Sequence, residues 1–138
     1  MIMLAVNQAL EIINQNKKVA IVGLSPKEDR PSNQVARYLI EHGFDIVPIN
    51  PAYKEILGKP CVKNLSELAA GDVDWIDMFV APQRLMGFAD DAVRLSPKLV
   101  WCQIGVVNEE FNKKLEEANI PYIANLCPKI ELSKASGL

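Results

Sequence analysis

Short apolar runs alternate with longer amphipathic segments along the chain. The first run, residues 19–23, is continuously apolar and ends at glycine, which is typical of a parallel strand buried on both faces. Segments long enough for a helix separate it from the runs that follow. Such a pattern predicts crossover connections and a parallel sheet between two layers of helices. The predicted strands cover residues 19–23, 46–49, 75–80, 99–102 and 121–124.

The order of these elements predicts a Rossmann-like, doubly wound α/β fold with a five-stranded parallel sheet and helices on both faces. We predict the strand order 3-2-1-4-5. The chain of 138 residues has the length of one domain, and no repeat or linker divides it, so residues 1–138 are expected to form a single unit. Within it, residues 1–16 show near-helical apolar spacing and predict a helix that covers an edge of the sheet.

Several local signals predict where individual elements begin, end or break. Ser32 or Asn33 is expected to cap the helix after the first strand, and the pair His42-Gly43 is expected to end it. Pro48 removes a ladder donor from the second strand, so irregular pairing or a local break is expected there. Further helices are predicted over residues 83–95 and 108–118.

Composition and charge exclude several classes of function. The chain has 15 Lys and Arg residues, 17 Asp and Glu residues and no dense basic run. Sequence-independent electrostatic binding to nucleic acid is therefore not expected. The longest apolar stretches are strand-sized, far below the roughly 20 residues of a membrane-spanning helix. The chain shows no secretory signal pattern, and its three separated cysteines suit neither a disulfide framework nor a metal knuckle. We expect a cytoplasmic protein with reduced thiols.

The loops at the carboxyl ends of the predicted strands are rich in glycine, proline and small polar residues. In open α/β sheets a ligand lies in the crevice beyond these ends, where the winding of the chain reverses. With the predicted order, that reversal falls between the first and fourth strands. Gly23 would let the backbone approach a ligand, and the following loop would direct amides and the Ser25 hydroxyl at a phosphate. The loops are residues 23–26, 50–51, 81–82, 103–105 and 125–128.

The first two of these loops disfavour NAD as the ligand. The loop after the first strand lacks the G-x-G-x-x-G spacing, and Asn50-Pro51 stands where an NAD-binding fold carries an acidic residue for the ribose. Lys27, Arg30 and Lys54 lie in these loops and could surround additional phosphate. These residues favour a nucleotide-type cofactor with additional phosphate; the alternatives are a simple tight turn at Gly23 and cations that face only solvent.

Five motifs in combination resemble a known family. They are Val22-Gly-Leu-Ser-Pro26, Asp29-Arg-Pro-Ser32, Pro48-Ile-Asn-Pro51, Gln103-Ile-Gly-Val-Val-Asn108 and Cys127-Pro-Lys129. From about residue 16 to about residue 131 the chain resembles the stand-alone CoA-binding protein family. That family is similar in fold to the CoA-binding domain of succinyl-CoA synthetase and of ADP-forming acyl-CoA synthetases. The resemblance implies coenzyme A as the cofactor.

The resemblance also implies a role for each strand-end loop. The loop after the first strand would line the nucleotide and pyrophosphate part of the site, and Arg30 and Lys54 would contact phosphate. Asn50-Pro51 would form the floor beneath the adenosine, and pantetheine would run past the third and fourth loops toward Cys127. The candidate cofactor-binding residues are Gly23, Leu24, Ser25, Lys27, Arg30, Asn50, Pro51, Lys54, Ala81, Pro82, Gln103, Ile104, Gly105, Asn125 and Cys127.

The sequence offers no complete set of catalytic residues. Ligation by the related synthetases uses a phosphohistidine domain and a nucleoside-triphosphate domain, neither of which is expected within 138 residues. His42, the only histidine, stands beside a helix end and is interpreted as structural. Acids such as Asp77 are interpreted as lying at strand starts or helix first turns, where they stabilise caps. Trp75 and Trp101 are expected in the core.

These observations lead to one main hypothesis and two alternatives. The main hypothesis is non-covalent binding of CoA or an acyl-CoA in a carrier, sensor or regulatory role. The alternatives are a small CoA-dependent enzyme that exchanges thiols or transfers acyl groups through Cys127, and a non-catalytic subunit of a split acyl-CoA synthetase. Expected protein partners are a second copy of the chain or a synthetase-type protein. Neither nucleic acid, nor a membrane, nor a metal is expected as a partner.

Overall fold

The computed structural model describes residues 3–136 and contains a five-stranded parallel sheet. Numbered within this sheet, the strands are β1 Lys18–Val22, β2 Asp45–Ile49, β3 Trp75–Met78, β4 Leu99–Cys102 and β5 Tyr122–Ile123. They lie in the order β2-β1-β3-β4-β5, and every neighbouring pair is parallel. The predicted Rossmann-like α/β class is therefore confirmed.

The predicted strand order 3-2-1-4-5 is wrong, because β3 lies between β1 and β4. Trp75 pairs with Val19 on one side and with Leu99 on the other. All residues of β3 are buried, which suits a strand with neighbours on both sides. The edge strand next to β1 is β2, and its Asp45 and Pro48 are residues that sheet edges tolerate. The local apolar pattern predicts strands but not their lateral order.

Pro48 does not interrupt β2, contrary to the expected break. Residues 45–49 pair with residues 18–22 in unbroken register, and Pro48 lies opposite Ile21. On the outer side of β2, the Val62 N–H donates to the Pro48 carbonyl at 2.9 Å. The missing N–H of proline is tolerated because β2 is an edge strand of the sheet.

Helices cover both faces of the sheet, as predicted. Their bounds are α1 Val6–Gln15, α2 Pro31–Glu41, α3 Ala89–Leu95, α4 Glu109–Glu117 and α5 Pro128–Ala135. Helices α1, α2 and α5 pack on one face, and α3 and α4 pack on the other. Trp75 and Trp101 are fully buried, so their predicted place in the core is confirmed. None of the helices within residues 3–136 is long and apolar enough to cross a membrane.

The N-terminal helix α1 lies over one face of the sheet beside β4 and β5. The Leu4 N–H, just before the helix, donates to the Tyr122 carbonyl at 2.9 Å and so extends the contact to the edge strand. The structure thus has a helix within the predicted segment, Val6–Gln15, and this helix packs on a face of the sheet beside the edge strand β5. The first two residues of the predicted helical segment lie outside the described residues.

Two predicted helix starts differ from the structure. Helix α2 begins at Pro31 with Arg30 as its N-cap residue, so neither Ser32 nor Asn33 caps it. Proline is favoured at the first helical position because its φ is already helical and no intrahelical bond needs its missing N–H. The helix predicted over residues 83–95 starts as a 3₁₀ segment, Pro82–Phe88, before α3.

Gly23 follows β1 at the point where β1 and β3 meet, and its φ is +82°. A Cβ at this position would lie 2.1 Å from the carbonyl oxygen of Phe79, so the two atoms would overlap. The Phe79 N–H in turn donates to the Val22 carbonyl at 2.9 Å. Glycine is thus required here by the protein's own backbone, whereas the sequence interpretation attributed it to the approach of a ligand.

Gly23→Ala should lower the free energy of unfolding by about 2–5 kcal/mol, because a strained φ and an atomic overlap act together. Gly43→Ala is a matched control: Gly43 has φ +86°, and a Cβ there meets nothing within 4 Å. The control should lose only the cost of the left-handed backbone, about 1–2 kcal/mol. Urea unfolding followed by circular dichroism measures both losses. Equal losses in the two variants would contradict the overlap at Phe79.

Candidate functional site

A cleft of about 610 Å³ opens at the carboxyl ends of the strands. It lies across the ends of β1, β3 and β4 and is flanked by the first turns of α2 and α5. Because α2 packs on one face and α3 and α4 on the other, the winding reverses between β1 and β3. The predicted position between the first and fourth strands is corrected accordingly. The lining residues are Gly23, Ser25, Arg30, Pro31, Ser32, Gln34, Val35, Phe79, Val80, Gln103, Ile104, Val106, Cys127, Lys129 and Ile130.

A second cleft of about 440 Å³ adjoins the first on the side of β2. The two clefts share Gly23, Phe79 and Val80, so they lie side by side along the rim of the sheet, and together they are called the groove. Two cations from different segments, Lys63 and Arg84, line this second cleft. Its other lining residues are Val22, Ile49, Asn50, Pro51, Asn64 and Phe88.

The structure brings part of the predicted residue set together along this groove. The first cleft contains Gly23, Ser25, Arg30, Gln103, Ile104 and Cys127, and the second adds Asn50 and Pro51. The predicted residues that line neither cleft are Leu24, Lys27, Lys54, Ala81, Pro82, Gly105 and Asn125. Sequence spacing thus predicts which loops reach the rim but not which of their side chains face the groove.

Some of the predicted residues outside the groove hold the loops in place. The Leu24 side chain is fully buried in the core. Asn125 adopts φ +64°, and its Oδ1 accepts a hydrogen bond from the Gly105 N–H at 2.9 Å, which joins the loops after β4 and β5. Lys27 and Lys54 are exposed.

Side chains of α2 hold the loop after β1. Ser32 Oγ accepts a hydrogen bond from the Ser25 N–H at 3.0 Å, and Asn33 Nδ2 donates to the Ser25 carbonyl at 2.9 Å. The Ser25 amide, expected from the sequence to face a phosphate, is therefore already bonded. The N-cap residue Arg30 makes no side-chain hydrogen bond to α2. No side chain caps the first turn of α2, so its free amides and its partial positive charge lie beside the cleft that this turn lines.

Several groove residues were missed by the sequence analysis. The predicted third strand runs to Val80, but β3 ends at Met78, so Phe79 and Val80 lie on the rim. Lys129 adds a cation to the first cleft, and its place in the Cys127-Pro-Lys129 motif was the available signal. The cations of the second cleft carried no sequence signal, because tertiary packing alone places their segments at the rim.

Asp77 is a buried acid at the penultimate position of β3. Its side chain is 0% exposed, which corrects its interpretation as a capping residue at a strand start. Oδ1 accepts a hydrogen bond from Gln103 Nε2 at 2.6 Å, and Oδ2 has no hydrogen-bond partner among residues 3–136. Burial raises the pKa of this carboxyl to about 7, and the hydrogen bond from Gln103 opposes the rise. A titratable group thus lies directly behind a side chain of the groove.

Cys127 lines the first cleft as the N-cap residue of α5. Burial raises the pKa of its thiol, although hydrogen bonds from the Ile130 and Lys129 amides lower it in part. The thiol is therefore protonated at neutral pH and is a weak nucleophile. His42 precedes β2 and lies at the opposite rim, where it stacks on Tyr38. Its imidazole is remote from the groove.

A model of the CoA-binding domain family matches residues 17–133 of this chain. The chain belongs to this CoA-binding family. The match includes all five strands and all lining residues of both clefts. The family resemblance predicted from the five sequence motifs is therefore confirmed.

This CoA-binding family member is similar to whole proteins of its own size and to a small part of a ligase. The uncharacterized protein YneT of Bacillus subtilis is 35% identical over 120 residues, which are 87% of this chain and 88% of YneT. A solved structure of a hypothetical protein from Pyrococcus horikoshii is 37% identical, with a TM-score of 0.88, and the match covers 95% of this chain and 92% of that protein. Acetate–CoA ligase (ADP-forming) I of Archaeoglobus fulgidus is 33% identical over 70 residues, which are 51% of this chain and 10% of the ligase.

Asp77→Asn should remove a pH dependence of stability between about pH 4 and pH 7. The pKa of Asp77 is about 7 in the folded protein against an ordinary value of 3.8, so in this range the folded state holds a proton that the unfolded chain has released. The contribution of Asp77 to the free energy of unfolding is full below pH 4, falls as the pH rises, and is lost above pH 7. At about 1.4 kcal/mol for each pKa unit, the loss is on the order of a few kcal/mol.

Urea unfolding of wild type and Asp77→Asn across this pH range measures the difference. Asp74→Asn is the matched control, because Asp74 precedes the same strand and bonds the exposed Lys18 N–H. The control should keep the wild-type slope. A wild-type slope that persists in Asp77→Asn would contradict the assignment of this titration to Asp77.

Proposed function

We propose that this family member binds coenzyme A or an acyl-CoA non-covalently along the two-cleft groove. The observation that carries the proposal is that two clefts adjoin along the same rim, since Gly23, Phe79 and Val80 line both of them. A ligand with a nucleotide at one end and a long thiol arm at the other suits a groove of this shape. Its position at the point where the winding reverses is the usual ligand position in such sheets. Membership of the CoA-binding family supports CoA as that ligand.

The charges along the groove support a ligand with separated phosphates. Arg30 lines the first cleft at the amino end of α2, where helix amides and their partial positive charge favour anions, and we assign the pyrophosphate to this end. Lys63 and Arg84 line the second cleft beside Asn50, and we assign the adenosine and its 3′-phosphate there. In this proposal they take the role that the sequence analysis gave to Lys27 and Lys54.

The residues at the other end of the groove are the evidence for placing the thiol arm there. Gln103, Ile104 and Cys127 line the first cleft at the ends of β4 and β5. We assign the pantetheine to this stretch, with its thiol or acyl end near Cys127. Hydrophobic walls with a few polar groups are the usual lining of a cofactor site.

A carrier, sensor or regulatory role is better supported than a catalytic one. Thiol exchange through Cys127 needs a thiolate, and burial raises the pKa of this thiol. The imidazole of His42 lies at the opposite rim of the sheet. The cysteines in residues 3–136 are free, which suits a reducing compartment, and we propose the cytoplasm as the location.

A second candidate function is that of a non-catalytic subunit of a split acyl-CoA synthetase. The similarity to one tenth of the Archaeoglobus fulgidus acetate–CoA ligase favours it. Such a subunit would still bind CoA in the same groove but would act only with a partner that binds a nucleoside triphosphate. Stable co-purification with such a partner from the native cell supports this candidate, and a protein that stays monomeric or forms only homo-oligomers contradicts it.

CoA should raise the melting temperature more than dephospho-CoA, and dephospho-CoA more than NAD. A ligand that binds only the folded state adds RT ln(1 + [L]/Kd) to stability, about 2.7 kcal/mol at a concentration of 100 Kd. Dephospho-CoA lacks the 3′-phosphate assigned to the second cleft, and NAD lacks the thiol arm as well. Differential scanning fluorimetry at equal ligand concentrations measures the three shifts. Equal shifts, or none with CoA, would contradict the proposed function.

Arg30→Ala should weaken CoA binding about tenfold, because a charge-assisted hydrogen bond to phosphate contributes about 1.5–3 kcal/mol before solvent screening reduces it. Lys27→Ala is the matched control, since Lys27 is an exposed cation of the same loop that does not line the groove. Its Kd should stay within about twofold of wild type. Isothermal titration calorimetry measures both affinities. Equal weakening by the two substitutions would indicate general charge attraction and not a phosphate contact at Arg30.

A further inference from the structure

Gln103 presents one half of its side-chain amide to the first cleft. The residue is 5% exposed and lines the cleft, while its Nε2 donates to Asp77 Oδ1 at 2.6 Å. Because one N–H of the amide nitrogen is bonded to the buried acid, the amide is held with its carbonyl oxygen Oε1 turned away from Asp77, where it can accept a hydrogen bond from a ligand. In this arrangement the cleft offers a hydrogen-bond acceptor at Gln103.

The protonation state of Asp77 decides which half of the amide faces the cleft. A carboxylate only accepts hydrogen bonds, so it pairs with the Nε2 donor of Gln103. A protonated carboxyl carries an O–H donor, which on Oδ2 would be buried without an acceptor among residues 3–136, so the proton is better held by Oδ1, the oxygen that contacts the Gln103 amide. The O–H would pair with Oε1, and the amide, turned by half a rotation, would then present Nε2 to the cleft.

The backbone of Gln103 holds the side chain in place during such a turn. Its N–H lies 3.4 Å from the Met78 carbonyl oxygen, and its carbonyl accepts the Val106 N–H at 2.9 Å. Rotation of the terminal amide alone therefore exchanges donor and acceptor at one position of the cleft wall. No movement of β3 or β4 is needed.

Other titratable groups near Asp77 do not compete with it in the neutral range. Its register neighbours, Ile21 on β1 and Trp101 on β4, carry no charge. The charge of Asp77 acts on the thiols of Cys102 on β4 and Cys127 at the start of α5, and burial raises the pKa of both thiols. The charge of Lys129 on α5 acts on Cys127 as well. The proton on Asp77 is thus the one that changes the surroundings of the Gln103 amide.

We propose that Asp77 is a positioning residue that makes Gln103 a hydrogen-bond acceptor or donor toward the thiol end of the ligand and thereby selects between free CoA and acyl-CoA. This inference rests on the proposed function. With Asp77 ionised, Oε1 accepts from the S–H of free CoA, whereas the thioester carbonyl of an acyl-CoA would face another acceptor. With Asp77 protonated, Nε2 donates to that thioester carbonyl.

Apolar surface beside Gln103 fits a small acyl group. Ile104 and Ile130 line the same cleft and are 61% and 44% exposed. An acyl group near Cys127 would cover part of this surface, which favours binding by removing it from water. The cleft can therefore take both forms of the ligand, and the Asp77–Gln103 pair shifts the balance between them.

The ratio of two dissociation constants tests the proposal. Isothermal titration calorimetry with CoA and with acetyl-CoA, from about pH 5.5 to about pH 8, gives the ratio of the acetyl-CoA Kd to the CoA Kd. Both ligands carry the same phosphates, so phosphate titration cancels in the ratio. We expect the wild-type ratio to rise about three- to tenfold across this range, the effect of one exchanged hydrogen bond. The ratio should be independent of pH in Asp77→Asn, whose amide does not titrate, and in Gln103→Leu, which has no amide.

Asp74→Asn is the control, because it makes the same substitution at the residue just before β3. This variant should keep the wild-type pH profile of the ratio. A wild-type ratio independent of pH, or an equal pH response in Asp77→Asn, would overturn the inference while CoA binding stands. Wild-type protein that binds neither ligand would contradict the proposed function, and the inference that rests on it would be overturned as well. Should Asp77→Asn not fold, the wild-type profile and Gln103→Leu decide the question alone: a pH response that persists in Gln103→Leu overturns the role of the amide.

Discussion

The close contact between the end of β1 and the end of β3 positions everything else at the rim of the sheet. Gly23 lies against the Phe79 carbonyl so tightly that no side chain fits between them, and the Phe79 N–H bonds the Val22 carbonyl. This contact brings the two strands together where the winding of the chain reverses. Both clefts extend from it, one toward β2 and one toward α5. The place where the two clefts adjoin is thus a backbone contact, in which the Phe79 carbonyl occupies the space that a side chain on residue 23 would need.

The loops around this contact are held by the protein's own hydrogen bonds. Ser32 and Asn33 bind the Ser25 backbone, and Asn50 Nδ2 donates to the Leu24 carbonyl at 2.9 Å. Such bonds use up several polar groups that the sequence analysis assigned to a ligand. In return they order the loops of the groove in advance, which reduces the conformational entropy that the protein would lose on binding a ligand. The groups available to a ligand include the cations at the rim, the first-turn amides of α2 and the amide of Gln103.

Asp77 stands apart from this stabilising pattern. A buried carboxyl with a single hydrogen bond is costly in the central strand of a sheet. Proteins accept such local costs mainly at functional sites. Its partner Gln103 lines the groove, so the unfavourable residue and the candidate ligand site adjoin. Apolar patterning could not reveal this, because one acid within a strand of Trp, Ile and Met does not disturb the prediction of a strand.

The sequence by itself determined the class of fold, the strands, the family and the loops that reach the rim, because apolar periodicity and turn residues act over a few positions. It did not determine that β3 inserts between β1 and β4, since lateral order depends on burial on both sides of a strand. For the same reason it placed the crevice at the wrong pair of strands. Tertiary packing also determines which side chains face the groove. Lys63 and Arg84 reach it from distant segments, while the Leu24 side chain is buried in the core. The strand order and the orientation of these side chains depend on contacts between residues far apart in the chain, and no local sequence pattern encodes such contacts.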